Sequence, residues 1–212
     1  MPNQKVFQNV VVSVFKNLEN NPNNPIYKEY LDLHIGFANI ENPKDLKNFE
    51  DHLISKELFK EWEEQYNITI DDLYKEARLN TFLRFEVKFK KIADAIKEMM
   101  PIDIPIGNLD DYDDIPLYLI SNKYGLYGAG VILYPEIFET ISSFITEAED
   151  PDLYLIPCSV YELLVMKASD KIDIEYIKNM IHVTNETCVD EHMRLSDNLY
   201  MYNKEENTIT IV

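Results

Sequence analysis

Tyr30-Leu-Asp-Leu-His-Ile-Gly-Phe-Ala-Asn-Ile40 is the stretch on which the reading of the fold turns. Leu31, Leu33, Ile35 and Phe37 fall on one side of an extended chain, and Asp32 and His34 on the other. That alternation predicts a strand with one solvated face. Upstream, residues 5–18 alternate loosely around Val10-Val-Val-Ser-Val-Phe15 and read as a second strand. Between the two lies Asn20-Asn-Pro-Asn-Asn-Pro25, a loop, because Asn and Pro both favour turns. Downstream, the charged stretch 41–50, which contains Pro43, reads as a linker.

The spacing predicts three helices over 55–100. Ser55 caps the first, which aligns Leu58, Trp62 and Tyr66. Thr69 with Asp72 three residues on is a capping-box pattern for the second, which buries Leu73 and Ala77. Phe85, Phe89, Ile92, Ile96 and Met99 form an amphipathic stripe for the third, ended by Pro101. Residues 101–115 read as a loop rich in Pro and Asp. Strands are expected at Pro116–Ile120 and Val131–Tyr134, joined by the glycine-bearing return 124–130. Pro135 opens a helix with Ile137, Ile141 and Ile145 inward. A strand at Asp152–Ile156 follows, then a short turn capped by Ser159 with Glu162. Ile174, Ile177, Ile181 and Thr184 mark the last helix. Asn198–Tyr202 and Thr208–Val212 read as a terminal hairpin.

The expected fold is therefore α+β: a single domain with an antiparallel or mixed sheet and helices packed mainly on one face. A chain of 212 residues buries about 70% of its unfolded surface, enough for a core without staples. Residues 1–25 form a shortened N-terminal strand and loop, and 26–212 the α+β domain. Two cysteines make no disulfide framework. No secretory signal is legible and Val10–Phe15 is far too short to span a bilayer, so the expected compartment is the cytoplasm.

Charge is the strongest functional signal. The formal net charge is −18, which argues against direct contact with nucleic acid or an anionic membrane and favours basic partners. From Glu98 to Glu162 there are thirteen acidic side chains against the single base Lys123. The opposite bias lies at 75–97, where Lys75, Arg78, Arg84, Lys88, Lys90, Lys91 and Lys97 face only Glu76, Glu86 and Asp94. That segment reads as a solvated face pairing with the acids of its own protein.

Five stretches carry a resemblance: Tyr30-Leu-Asp-Leu33, Ile115-Pro-Leu-Tyr-Leu-Ile-Ser-Asn-Lys123, Gly128-Ala-Gly-Val-Ile-Leu-Tyr-Pro135, Leu153-Tyr-Leu-Ile-Pro-Cys-Ser-Val160 and Leu195-Ser-Asp-Asn-Leu-Tyr200. Together, over residues 26–203, the chain resembles a bacterial family frequent in Firmicutes, the domain of unknown function 5688. Members of that family carry a longer N-terminal region, confined here to residues 1–25. They also tend to have Ser in place of Cys158 and His in place of Tyr161. The resemblance implies a shared α+β fold and supplies no reaction and no catalytic residues.

Three constellations invite chemistry. His182, Glu186, Cys188, Asp190 and His192 are dense in metal-ligating types, but no second Cys pair completes a zinc site, and no metal is assigned. Cys158, just before a helix capped by Ser159, would be an activated nucleophile if that helix lowered its pKa; no Gly-x-Cys elbow surrounds it. Asp110, Asp111, Asp113 and Asp114 lack the Gly and distal Glu of a calcium loop. No nucleotide-binding or metalloprotease motif is present, and no catalytic residue or cofactor is assigned.

The expectation is a non-catalytic acidic protein that binds a basic protein partner. The acidic surface assigned to that contact is Asp103, Asp110, Asp111, Asp113, Asp114, Glu147, Glu149, Asp150 and Asp152. In its sharper form the partner is a nuclease or other nucleic-acid-binding protein, and the chain is a phage or mobile-element anti-defence inhibitor acting as a nucleic-acid mimic. The alternatives are a housekeeping protein whose acidity is only solubility, and an enzyme using Cys158 or the His182–His192 cluster. The edges of the terminal hairpin could pair between chains, which leaves the oligomeric state open.

Overall fold

The computed structural model describes residues 4–99, 117–145 and 152–212. After a short turn of helix, α1 (Gln4–Phe7), the chain enters β1 (Val10–Phe15), in which every residue is buried. The run Tyr30–Ile40 is not one strand. It belongs to a hairpin of β2 (Tyr27–Tyr30) and β3 (Leu33–Asn39), with Tyr30 opposite Leu33 and only Leu31 and Asp32 in the turn. Leu31 takes a φ of 56°, the left-handed conformation that so tight a return demands. Nor is the second face of β3 solvated: Gly36 and Ala38 are buried. A side chain on Gly36 would meet Phe15 at 2.7 Å, so the absence of a Cβ is what lets β1 and its neighbours close over β3.

The stretch read as a linker is instead two short 3₁₀ turns within Pro43–His52, kinked at Asn48, capped by Asn42 and burying Leu46 and Phe49. Two of the helices stand as expected. In α2 (Lys56–Tyr66) Ser55 accepts from the Leu58 amide, and in α3 (Ile70–Arg84) Thr69 and Asp72 form the reciprocal capping box. α3 lies against β1. The Thr81 hydroxyl accepts from the Val12 amide at 2.9 Å, and Asn80 donates to the carbonyls of Phe7 and Val10. The edge of β1 is thereby closed.

The stripe from Phe85 to Met99 divides between two elements, β4 (Val87–Lys91) and α4 (Ile92–Met99). Val87, Phe89 and Lys91 also alternate, and pairing with β5 (Leu117–Asn122) decides in favour of the strand. Val131–Tyr134 is not a strand. Gly128–Leu133 forms a buried 3₁₀ segment wedged between the two sheets, followed by α5 (Pro135–Ile145). A Cβ on Gly128 would stand 2.3 Å from Ser121 Oγ and 2.7 Å from two backbone atoms, and one on Gly130 would stand 3.3 Å from Ser13 Cα. The glycines thus serve close backbone approach.

The remaining strands are β6 (Leu153–Ser159), β7 (Glu162–Lys167), β8 (Tyr200–Asn203) and β9 (Thr208–Ile211), with α6 (Ile174–Cys188) between β7 and β8. Ser159 and Glu162 close a tight β6–β7 hairpin rather than cap a helix, and the Ser159 hydroxyl accepts from the Tyr161 amide. The terminal hairpin forms as expected. Two antiparallel sheets result, ordered β1-β3-β2 and β4-β5-β7-β6-β8-β9. The fold is α+β. Its main core lies between them, joining Val12 and Phe37 to Ile120, Leu155, Val165 and Tyr202.

Candidate functional site

Period-two alternation gives the larger sheet two apolar faces. Ile120, Leu155, Leu163 and Val165 turn into the main core. Leu117, Ile156, Leu164 and Met166 turn the other way, in the cross-strand pairs Leu117–Met166 and Ile156–Leu164. Among the described residues α6 packs on this second face. Asp173 caps the helix by accepting from the Tyr176 amide, and Ile174, Ile177 and Ile181 rest on Tyr154, Met201 and Leu199. Three isoleucines cannot cover six strands. Between α6 and β5–β7 an apolar groove of about 270 Å³ remains, floored by Leu117, Ile156, Leu164 and Met166 and walled by Ile177 and Met180. The outer side of α6 extends this surface, with Tyr176, Met180 and Val183 exposed by 61%, 47% and 48%.

Polar groups mark the rim. Asn185, buried, donates to the Ser196 carbonyl at 3.0 Å and to Asp197 Oδ1 at 2.7 Å. The amide bond from Asn185, and the contact with His182, hold the Asp197 carboxyl below the usual range. Burial raises the Glu162 carboxyl, with Lys90 acting in the opposite sense.

Cys158 also lines the groove. No helix begins after it, so the dipole that would have activated it is absent. Burial, with the Glu162 carboxylate beside it, pushes its thiol up to about 12. At neutral pH it is a protonated apolar group and not a thiolate nucleophile. The second cluster disperses as well. His182 contacts Asp197 at 3.2 Å, Glu186 pairs with Arg194 at 2.6 Å, and Cys188 is exposed at the end of α6. Among the described residues no three His, Cys, Asp or Glu converge on one point.

Of the acidic surface assigned from sequence, Asp103, Asp110, Asp111, Asp113, Asp114, Glu147, Glu149 and Asp150 lie outside the described residues. Asp152 is described and serves the fold: its carboxylate accepts from the Lys204 amide at 3.0 Å and its carbonyl from the Ala168 amide. Several basic side chains bond within the chain. Arg78 pairs with Glu136 at 2.6 Å and donates to the Leu133 carbonyl. Arg84 donates to the carbonyls of Asn9, Ile40 and Glu41. Lys88 pairs with Glu86, Lys90 with Glu98 and Lys28 with Asp71. Each surface pair adds little stability. Each occupies one carboxylate along with one cation.

Sequence reasoning missed one further cluster. Asp32, in the β2–β3 turn, accepts from Tyr200 Oη at 2.7 Å, Ser196 Oγ at 2.5 Å and Asn198 Nδ2 at 2.9 Å. The Tyr30–Leu33 and Leu195–Tyr200 stretches, quoted separately above, thus meet at one carboxylate that ties the small sheet to the large one.

Fold and site together define a two-sheet α+β protein with a partly covered apolar face beneath one helix. The chain belongs to the family of unknown function DUF5688, whose model matches residues 4–204. No curated protein and no solved structure matches it. Among the described residues no helix is long and apolar enough to cross a membrane.

Proposed function

We propose that this chain is a non-catalytic interaction protein that binds a basic protein partner, with the groove beneath α6 receiving an apolar anchor from that partner. One observation carries the reading: an open apolar groove of about 270 Å³ lies on a chain whose net charge is −18. Asp197 bonds the lining residue Asn185, and Glu162 stands beside the lining residue Cys158, so two carboxylates lie next to the groove. Apolar anchors in desolvated pockets supply most of the affinity in protein interfaces, and surrounding charge sets the choice of partner and the association rate. The protonated Cys158 thiol supports binding over covalent chemistry at this groove.

In the sharper form of the proposal the partner is a nuclease or other nucleic-acid-handling protein, and the chain acts in the cytoplasm as an anti-defence inhibitor and nucleic-acid mimic. The net charge of −18 supports it, since a mimic must present uncompensated negative charge.

Affinity capture with the full chain from its native host, followed by binding measurements on the purified partner, tests the reading. The expected partner is basic, its affinity falls about tenfold or more between low and high salt, and the chain competes with nucleic acid for it. A neutral or acidic partner, or binding undiminished by salt, contradicts the proposal. A basic partner that still binds nucleic acid in the complex contradicts only the mimic.

A further inference from the structure

Among the described residues three of the four sheet edges are guarded. β4 carries Lys88, Lys90 and Lys91, charges that oppose pairing with another strand. β2 carries Lys28 and Glu29, and β1 is closed by α3 through the Thr81–Val12 bond. β9 has none of these devices. From Asn207 to Val212 the sequence Asn-Thr-Ile-Thr-Ile-Val holds no charged side chain and no proline, and all four residues of its strand are β-branched. Val212 donates to the Leu199 carbonyl. By antiparallel alternation Thr208 and Thr210 therefore exchange their hydrogen bonds with β8, and Ile209 and Ile211 aim their N–H and C=O groups away from the sheet. Among the described residues no backbone group outside β8 bonds to either isoleucine.

We propose that β9 pairs antiparallel with β9 of a second copy of this chain, about a two-fold axis at Thr210, to make one continuous sheet across a dimer. The sequence is self-complementary about that residue. Ile209 falls opposite Ile211 of the second copy, Thr210 opposite Thr210, and Thr208 opposite Val212, with no like charges facing each other. A two-fold contact requires such self-complementarity. Ile211, now 42% exposed, would be covered by the buried Ile209 position of its mate. The register also satisfies the outward N–H and C=O groups of both isoleucines. Since the bodies being joined are each strongly acidic, added salt screens their repulsion and tightens this dimer. The dependence is opposite in sign to that of binding a basic partner.

Sedimentation equilibrium of the full chain across a dilution series tests the proposal. The expected wild-type mass is twice that of the chain. Thr210→Lys sets two ammonium groups opposite each other and weakens the dimer about tenfold or more, with its far-ultraviolet circular dichroism unchanged; Thr210→Val keeps it. Should Thr210→Lys fail to fold, Thr210→Cys in a Cys188→Ser background provides the second readout. Thiols facing each other in a non-hydrogen-bonded pair, about 4.5 Å apart at Cα, are close enough to join as an intermolecular disulfide on oxidation. A single-chain mass at every concentration overturns the proposal. So does a folded Thr210→Lys variant that remains dimeric, or the absence of a cross-link at position 210. If β9 is instead taken by a strand of another protein, the chain alone stays monomeric, which counts as the same refutation.

Discussion

The carboxylate of Asp32 receives hydrogen bonds from residues 164, 166 and 168 positions further along the chain. Two of those donors, Ser196 and Tyr200, are buried. Burial, together with the nearby Asp32 carboxylate, drives the Tyr200 hydroxyl pKa upward. Deleting the acceptor leaves donors buried without partners, and that cost exceeds the worth of the bonds themselves. We expect Asp32→Ala to cost about 2–4 kcal/mol and Tyr200→Phe about 1–2 kcal/mol. In urea unfolding the double variant should cost less than the sum, because the two share one interaction. Strict additivity would show that they do not. Local pattern placed Asp32 on a solvated strand face, since nothing within a few residues of it points to Tyr200. The signal that was available lay elsewhere: Tyr30–Leu33 and Leu195–Tyr200 both belonged to the family pattern.

At the scale of elements, what could be read from the chain was what local chemistry settles. The Thr69–Asp72 box, the Ser55 cap and the Pro135 helix start depend on neighbours within four residues, and each formed. Phe85–Met99 failed because Phe89 fits both a helical stripe and strand alternation, and a distant partner, β5, decided between them. Val131-Ile-Leu133 failed because a short apolar run buried on every side has no period to read. The groove was illegible for a similar reason: it forms between α6 and β5–β7, elements that only the fold brings together. Gly128 offers a test of the wedge. Gly128→Ala must push against the backbone of Asn122 and Tyr161, which cannot swing aside, and should cost about 2 kcal/mol or more. Gly125→Ala, with open space around it and a φ of 63°, should cost about 1 kcal/mol of backbone strain. Thermal unfolding of the pair checks the order; equal losses would mean that the wedge is looser than described.

For the molecule as a whole, buried phenols set the response to alkali. Burial raises Tyr30 to about 12, and raises Tyr127, Tyr134 and Tyr200 further. Cys158 is pushed up to about 12. A folded pKa above the unfolded one means that the unfolded chain sheds protons first. The stability these groups confer is whole below about pH 9, the unfolded thiol range, and declines from there through about pH 12. Phenolate absorbance should accordingly show several of the fourteen tyrosines ionising only as the fold is lost. Smooth titration of all of them near pH 10 while the circular dichroism stays native would contradict the packing described.

The acidic chain and its apolar groove make one claim about the molecule, that a basic partner is held by an apolar anchor beneath α6. Met180 is the side chain to change, since it walls the groove, is 47% exposed and makes no polar contact that its loss would orphan. Calorimetric titration of the captured partner against wild type and Met180→Asp is the most direct measurement. The account predicts at least about a tenfold loss of affinity in the variant, the scale of a truncated anchor, with the salt dependence retained. Equal affinity of the two proteins would place the contact elsewhere and contradict it.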